Sequence, residues 1–376
     1  MNHRRWSLFA WLPSLVFGAC GGRDFLSNAG VAGGAGTAGM PAQTDGVGGA
    51  SGGRAGAAGS GGKAHAGNAQ GGAAQGGSAP QAVAGEPSDT AAGAAGAAGA
   101  AGGPEATPCD PIAPFGEPAP VTGGVNSASD ELSPRLSKDE LTIYFARRIV
   151  NSPAAAMDLY AATRPDIDAP FTDGVKLSIS TDQSDGDPML TIEGGTLFFS
   201  SDRPNGLGEF DLYQASRGAP SLPFVTASAV PDVNSTGSEV EPFATSDGEL
   251  WFAYRKPGLN SALHLRRAPR NGTGYAAPIP VMELDSPTED NWPLLSSDKL
   301  TIYYASLRDD GGAHGKADTW RAQRHNPTAV FDPPSNVNEL NTAATDYPGW
   351  LSEDNCRLYL SSNRASGSYQ IYVAKR

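Results

Sequence analysis

A proline recurs five times in the last 269 residues at an almost constant interval. This period constrains the chain more than any other feature. The residues are Pro134, Pro188, Pro242, Pro293 and Pro348, spaced by 54, 54, 51 and 55. Each is followed by an apolar burst, at 141–146, 197–199, 250–254, 300–305 and 358–360. Each burst runs into an arginine: Arg148, Arg203, Arg255, Arg308 or Arg364. A shorter apolar pair follows, as in Leu159-Tyr160, Leu212-Tyr213, Leu263-His264, Thr319-Trp320 and Ile371-Tyr372. An aromatic recurs at Phe115, Phe171, Phe224, Tyr275 and Phe331, with an aliphatic eight to ten residues later.

Each period therefore holds several short β-rich runs separated by Gly, Pro, Asn and Asp. Four strands per repeat is the content of one propeller blade. The bursts are nearly continuous, as suits a strand covered on both faces. No run has the length and 3.6 period of a helix. An open solenoid usually has a shorter repeat, and a sandwich would not repeat four anchors at one spacing. The prediction is an all-β, five-bladed β-propeller.

The order of anchors predicts how the ring closes. Residues 115–127 read as an aromatic outer strand standing before any proline unit, and 369–376 read as a third strand with no outer strand after it. The N-terminal strand is expected to complete the last blade and remove the open edge.

Residues 21–107 are another material. They hold 27 Gly and 26 Ala in 87 positions, with Phe25 the only aromatic. Such a segment cannot bury enough apolar surface to offset chain entropy and is expected to be a disordered linker. Its matches to G-x-G-x-x-G at 34–39 and G-x-S-x-G at 49–53 lack the flanking strand and helix those motifs need. Residues 108–376 form the propeller domain. They carry 22 basic and 35 acidic residues, so no basic stripe is available for nucleic acid.

Arg4 and Arg5 precede a short apolar run at 6–19 that ends in Val16-Phe17-Gly18-Ala19-Cys20. This resembles a bacterial lipoprotein signal, 1–20, with Phe17 departing from its usual leucine. The resemblance implies lipidation at Cys20 and, with Gly21 following, the outer membrane, facing the periplasm or the cell surface. Cys109 and Cys356 are an even pair in an exported domain and are expected to form a disulfide across the closing junction.

The segment Ser200-Ser201-Asp202-Arg203-Pro204-Asn205-Gly206, leading to Asp211-Leu212-Tyr213, resembles the WD-like propeller repeat of TolB-type periplasmic proteins. Ser361-Ser362-Asn363-Arg364 and Ile302-Tyr303-Tyr304-Ala305-Ser306 look like further copies. A six-bladed TolB-like ring is the alternative this resemblance raises. The third repeat departs from the pattern, with Tyr254-Arg255-Lys256-Pro257 replacing the Ser-Asp-Arg turn.

No H-x-x-x-H or H-E-x-x-H spacing occurs, so no catalytic set, metal or cofactor is expected. His264 reads as structural, and the loop 309–314 with Asp318 as a solvated turn. Glu131, Asp185, Glu239, Asp290 and Asp346 stand two or three residues before the repeat prolines. Equivalent places around a ring would put them in a circle, a partner-binding rim, with local turn capping as the competing role. The expectation is a monomeric, non-enzymatic module for envelope proteins, touching the membrane only through its lipid. Glycan or peptidoglycan binding on Trp251, Trp292, Trp320 and Trp350 is the alternative, and a metal-dependent lyase or hydrolase the more distant one.

Overall fold

A computed structural model describes residues 109–148, 156–258, 261–309, 312–365 and 367–376. The signal segment 1–20, Cys20 and the linker 21–107 lie outside the described residues. Strand β1 (Ala119–Pro120) comes first. Blade one is β2 (Asp130–Leu136), β3 (Thr142–Arg148), β4 (Met157–Thr163) and β5 (Val175–Lys176). Blade two is β6 (Asp185–Leu190), β7 (Thr196–Ser201), β8 (Asp211–Ser216) and β9 (Ala227–Ala229). Blade three is β10 (Ser238–Ala244), β11 (Leu250–Arg255) and β12 (His264–Ala268), then a small hairpin of β13 (Arg270–Asn271) and β14 (Gly274–Tyr275), and finally β15 (Ile279–Pro280). Blade four is β16 (Asp290–Leu295), β17 (Thr301–Ser306), β18 (Asp318–Gln323) and β19 (Ser335–Asn336). Blade five is β20 (Asp346–Leu351), β21 (Arg357–Ser362) and β22 (Gln370–Lys375), completed by β1. Each inner strand contacts the next, β2 to β6, β10, β16, β20 and back to β2, so five blades close a ring and the six-bladed alternative falls away.

The recurrent prolines explain a distortion shared by all inner strands. Proline cannot donate to a ladder, so in a central position it sits at a bulge. The register breaks between Leu132 and Arg135, Gly186 and Met189, Val240 and Phe243, Asn291 and Leu294, and Pro348 and Trp350. In four blades the residue before the proline is left-handed: Ser133, Asp187, Glu241 and Trp292 have φ between 50° and 58°.

The hairpin from first to second strand is closed by a short polar device. Ser137 donates to Asp139 (2.6 Å) and accepts from the Thr142 amide (2.9 Å), and Ser296 does the same with Asp298 and Thr301. The left-handed residue ending this turn is Glu140, Gly194, Gly248, Lys299 or Asn355.

A second device explains the recurrent aromatic. An arginine one or two residues past the third strand lies over it: Arg164 on Phe171 (4.4 Å), Arg217 on Phe224 (4.5 Å), Arg270 on Tyr275 (4.9 Å) and Arg324 on Phe331 (4.3 Å). The fifth pair joins the two ends of the domain, Arg376 on Phe115 at 3.8 Å. Each such contact contributes roughly 0.5–2 kcal/mol, more when dry. Around it β1 pairs with β22, Ala119 opposite Val373 and Pro120 opposite Tyr372. Asn126 accepts from the Ile371 amide (2.7 Å) and donates to its carbonyl (2.9 Å). Cys109 and Cys356 are bridged, with Cα atoms 6.1 Å apart. The ring is thus closed by the N-terminal strand.

Candidate functional site

The repeat carboxylates do not form a solvent-facing rim. Glu131, Asp185, Glu239, Asp290 and Asp346 are each at most 1% exposed. Each accepts from the backbone amide of a hydroxyl residue four positions earlier: Ser127 (3.0 Å), Thr181 (2.6 Å), Ser235 (3.1 Å), Ser286 (2.6 Å) and Thr342 (2.7 Å). Four also hold a guanidinium: Arg147 (2.8 Å), Arg203 (2.5 Å), Arg308 (2.9 Å) and Arg364 (2.6 Å). A buried carboxylate needs such partners to stay inside, and these have them from their own blade and the turn entering it. Burial still raises the pKa of Glu131 and Glu239, against the bonds from Ser127 and Ser235.

Each of those arginines also lies over the aromatic of the third strand, Arg147 on Tyr160 (4.7 Å), Arg203 on Tyr213 (4.7 Å), Arg308 on Trp320 (5.2 Å) and Arg364 on Tyr372 (5.1 Å). In blade three the pair is inverted. Tyr254 stands in the second strand and Arg266 in the third, 3.8 Å over the ring. This corrects the alignment of His264 with the recurrent aromatics. The pairing of Tyr254 with His264 matches that of Arg147 with Asp158, Ser201 with Asp211, Ser306 with Asp318 and Ser362 with Gln370. His264 replaces an acid or amide, not an aromatic.

The axis of the ring is filled. Ser133 of blade one donates to Asp187 of blade two (2.8 Å) and accepts from the indole of Trp292 in blade four (3.2 Å). The Trp292 amide donates to Glu241 (2.8 Å), and its ring stacks on Tyr347 at 3.8 Å. Arg135 reaches over Phe243 of blade three (5.6 Å). Blades one and four, and one and three, are not neighbours, so these contacts cross the axis. Ser133, Arg135, Asp187, Glu241, Trp292 and Tyr347 are all buried. Burial lowers the Arg135 guanidinium to about 10, with Asp187 and Glu241 holding it up, so it is cationic at neutral pH. Burial raises Asp187, against bonds from Ser200 and Ser133. Five of these six residues directly precede a repeat proline, a position the proline anchors themselves point to.

One further cluster was not legible as a motif. His264, Asp285 and Asp290 bring one ligand atom each within 4.8 Å of one another. His264 Nδ1 lies 3.8 Å from Asp285 Oδ1 and 3.9 Å from Asp290 Oδ2. Asp285 stands five residues before the repeat carboxylate, where the other repeats have Asn126, Ser180, Asn234 and Asn341. Burial raises the Asp285 pKa, against the pull of His264.

The remaining expected groups are committed elsewhere. Trp251, Trp292 and Trp320 are at most 3% exposed, and Trp350, half-buried in blade five, packs edge-on against Tyr359 and the core shared with blade one, so none is an open sugar platform. Asp318 accepts from the amides of His314 (2.6 Å) and Gly315 (3.2 Å) and from Asn336 (2.9 Å), consistent with a turn. A groove of about 220 Å³ lies between blades three and four, lined by residues that include Arg267, Glu283, Arg324 and Val330.

No family model and no curated protein matches this chain. Among solved structures it is similar to TolB from Acinetobacter baumannii, with 15% identity over 67% of this chain and 56% of that one, at a TM-score of 0.38. It therefore spans little more than half of that protein. Zg3597, a family 117 glycoside hydrolase produced by Zobellia galactanivorans, is 15% identical over 70% of this chain and 90% of its own, at a TM-score of 0.45. The endo-arabinase from Bacteroides thetaiotaomicron is 14% identical over 70% and 97%, at 0.41. The neighbours thus include TolB-like propellers and glycoside hydrolases, and likeness of this degree does not decide between their roles.

Proposed function

We propose that the chain is an exported envelope protein, anchored at the outer membrane by a lipid on Cys20, whose propeller is a non-enzymatic module for binding other envelope proteins. The observation that carries this is the filled axis. With Ser133, Arg135, Asp187, Glu241, Trp292 and Tyr347 packed across it, a partner must be met on the outside of the ring. The outside supplies apolar contacts on the segment that leads into the outer strand in four of the five blades. They are Ile167, Leu222 and Val225, Val330, and Ile112, from 38% to 85% exposed. Recurrence at the same step of four blades distinguishes them from scattered surface residues. The Cys109–Cys356 bridge supports export, because disulfides persist in oxidising compartments.

The test is capture of a defined partner from envelope extract by the immobilised protein, beside a Val225→Asp/Val330→Asp variant that melts normally. Stoichiometric capture by the native protein, lost in the variant, supports the reading. Equal capture by both, or glycan binding or glycoside hydrolysis without any protein partner, would overturn it.

A further inference from the structure

We propose that His264, Asp285 and Asp290 form a site for a divalent cation of the zinc class, at the junction of blades three and four.

The site arises from two departures confined to one repeat. At the position of Asp285 the other repeats carry a residue that serves the third strand. Asn234 accepts from the Leu212 amide (2.8 Å) and donates to its carbonyl (3.0 Å), and Asn341 does the same for Thr319 (2.8 and 2.9 Å). Ser180 accepts from the Leu159 amide (2.9 Å). A carboxylate cannot donate, so Asp285 gives up half of that clamp. At the position of His264 the other repeats carry Asp158, Asp211, Asp318 or Gln370. Both changes bring a ligand atom towards the one carboxylate that every repeat retains, here Asp290.

The atoms are placed for a ligand they do not have in one another. His264 Nδ1 and Asp285 Oδ1 are buried at the atom level and neither has a hydrogen-bond partner. Their separation of 3.8 Å is too long for a hydrogen bond. It exceeds by roughly half an ångström the spacing that tetrahedral zinc, with bonds of about 2.0–2.2 Å, sets between its ligands. Asp290 is held in place: Oδ1 accepts from Ser306 (2.6 Å) and Arg308 (2.9 Å), and Oδ2 from the Ser286 amide (2.6 Å). Such outer contacts orient a ligating carboxylate. The His264 and Asp285 side chains are 37% and 23% exposed, so one side is open to water as a further ligand. One imidazole with two carboxylates favours zinc-class ions over calcium, which takes six to eight oxygens.

The full-length protein is stripped with chelator and titrated with ZnCl2 by calorimetry, then with Co2+ by visible absorption. Asp285→Asn restores the residue of three other repeats and His264→Gln matches the fifth, so both variants retain a repeat-compatible side chain. The expected result is one zinc equivalent bound, at least tenfold weaker in each variant, with the visible cobalt bands lost in both. A melting temperature raised by zinc and not by equal Ca2+ or Mg2+ is also expected. Absence of stoichiometric zinc binding by the native protein, or an affinity in either variant equal to that of the native protein, would overturn the site.

Discussion

Trp292 is the residue on which the filled axis most depends, and Trp292→Ala is the perturbation that tests it. The indole is 2% exposed, stacks on Tyr347 at 3.8 Å and donates to Ser133 across the ring. Truncating a buried tryptophan costs about 3–5 kcal/mol, from lost transfer energy and the cavity left behind. With an unfolding entropy of about 2.1 cal/mol/K per residue over roughly 270 residues, about 4 kcal/mol lowers the melting temperature by about 7 °C. The backbone supplies an internal check. Trp292 has φ +50°, which alanine tolerates poorly and glycine freely. Trp292→Gly should therefore be about 1 kcal/mol more stable than Trp292→Ala, the reverse of the usual order. Calorimetry and urea unfolding of both variants give the two numbers. A loss below about 1 kcal/mol for Trp292→Ala would mean that the axis is not packed, and the argument for an external binding surface would lose its support.

Three other outcomes follow from particular contacts. The Cys109–Cys356 bridge spans 247 residues, so in the chain-entropy picture its removal costs about 5 kcal/mol; Cys109→Ser/Cys356→Ser should melt about 9 °C lower, and an unchanged melt would show that the bridge stabilises little. Exchanging Tyr254 and Arg266 should keep a cation–π pair in the order of blade one, so Tyr254→Arg/Arg266→Tyr should recover most of the stability lost by either single change, as a double-mutant cycle would read out. Burial raises the pKa of Glu131, Asp187 and Glu239, so their contribution is full below the unfolded values of 4.5 and 3.8 and is lost as pH rises through the folded ones. The urea midpoint should thus be higher at pH 5 than at pH 7, and a lower one would show that other carboxylates dominate.

The fold was legible because its anchors are backbone requirements. A proline at each inner-strand bulge and an aromatic under each arginine repeat whatever the surface does, and the closing strand follows from their order. The sites were harder to read for a physical reason. The carboxylates Glu131, Asp185, Glu239, Asp290 and Asp346 look alike in sequence whether they face water or an arginine, and only the register shows that they are enclosed. His264 stood beside Leu263 and so mimicked the apolar pair of the other repeats. Because blade three inverts its cation–π partners, the aromatic that would have fixed the alignment is in the other strand, at Tyr254. Asp285 could have been found by aligning the residue five places before each carboxylate, where three repeats have asparagine.

The closed ring is the claim on which every surface and site described above rests, and deletion of residues 109–128 tests it most directly. The deletion is made with Cys356→Ser and compared with full-length Cys109→Ser/Cys356→Ser, so that the disulfide does not enter. It removes β1, the buried Phe115, Val121 and Val125, and the clamp of Asn126 on Ile371. The three apolar side chains alone contribute about 6 kcal/mol. If β1 completes blade five, the deleted protein should aggregate, or melt at least about 10 °C below its reference. A monomer that melts within a degree or two of the reference would show that the N-terminal strand does not close the ring.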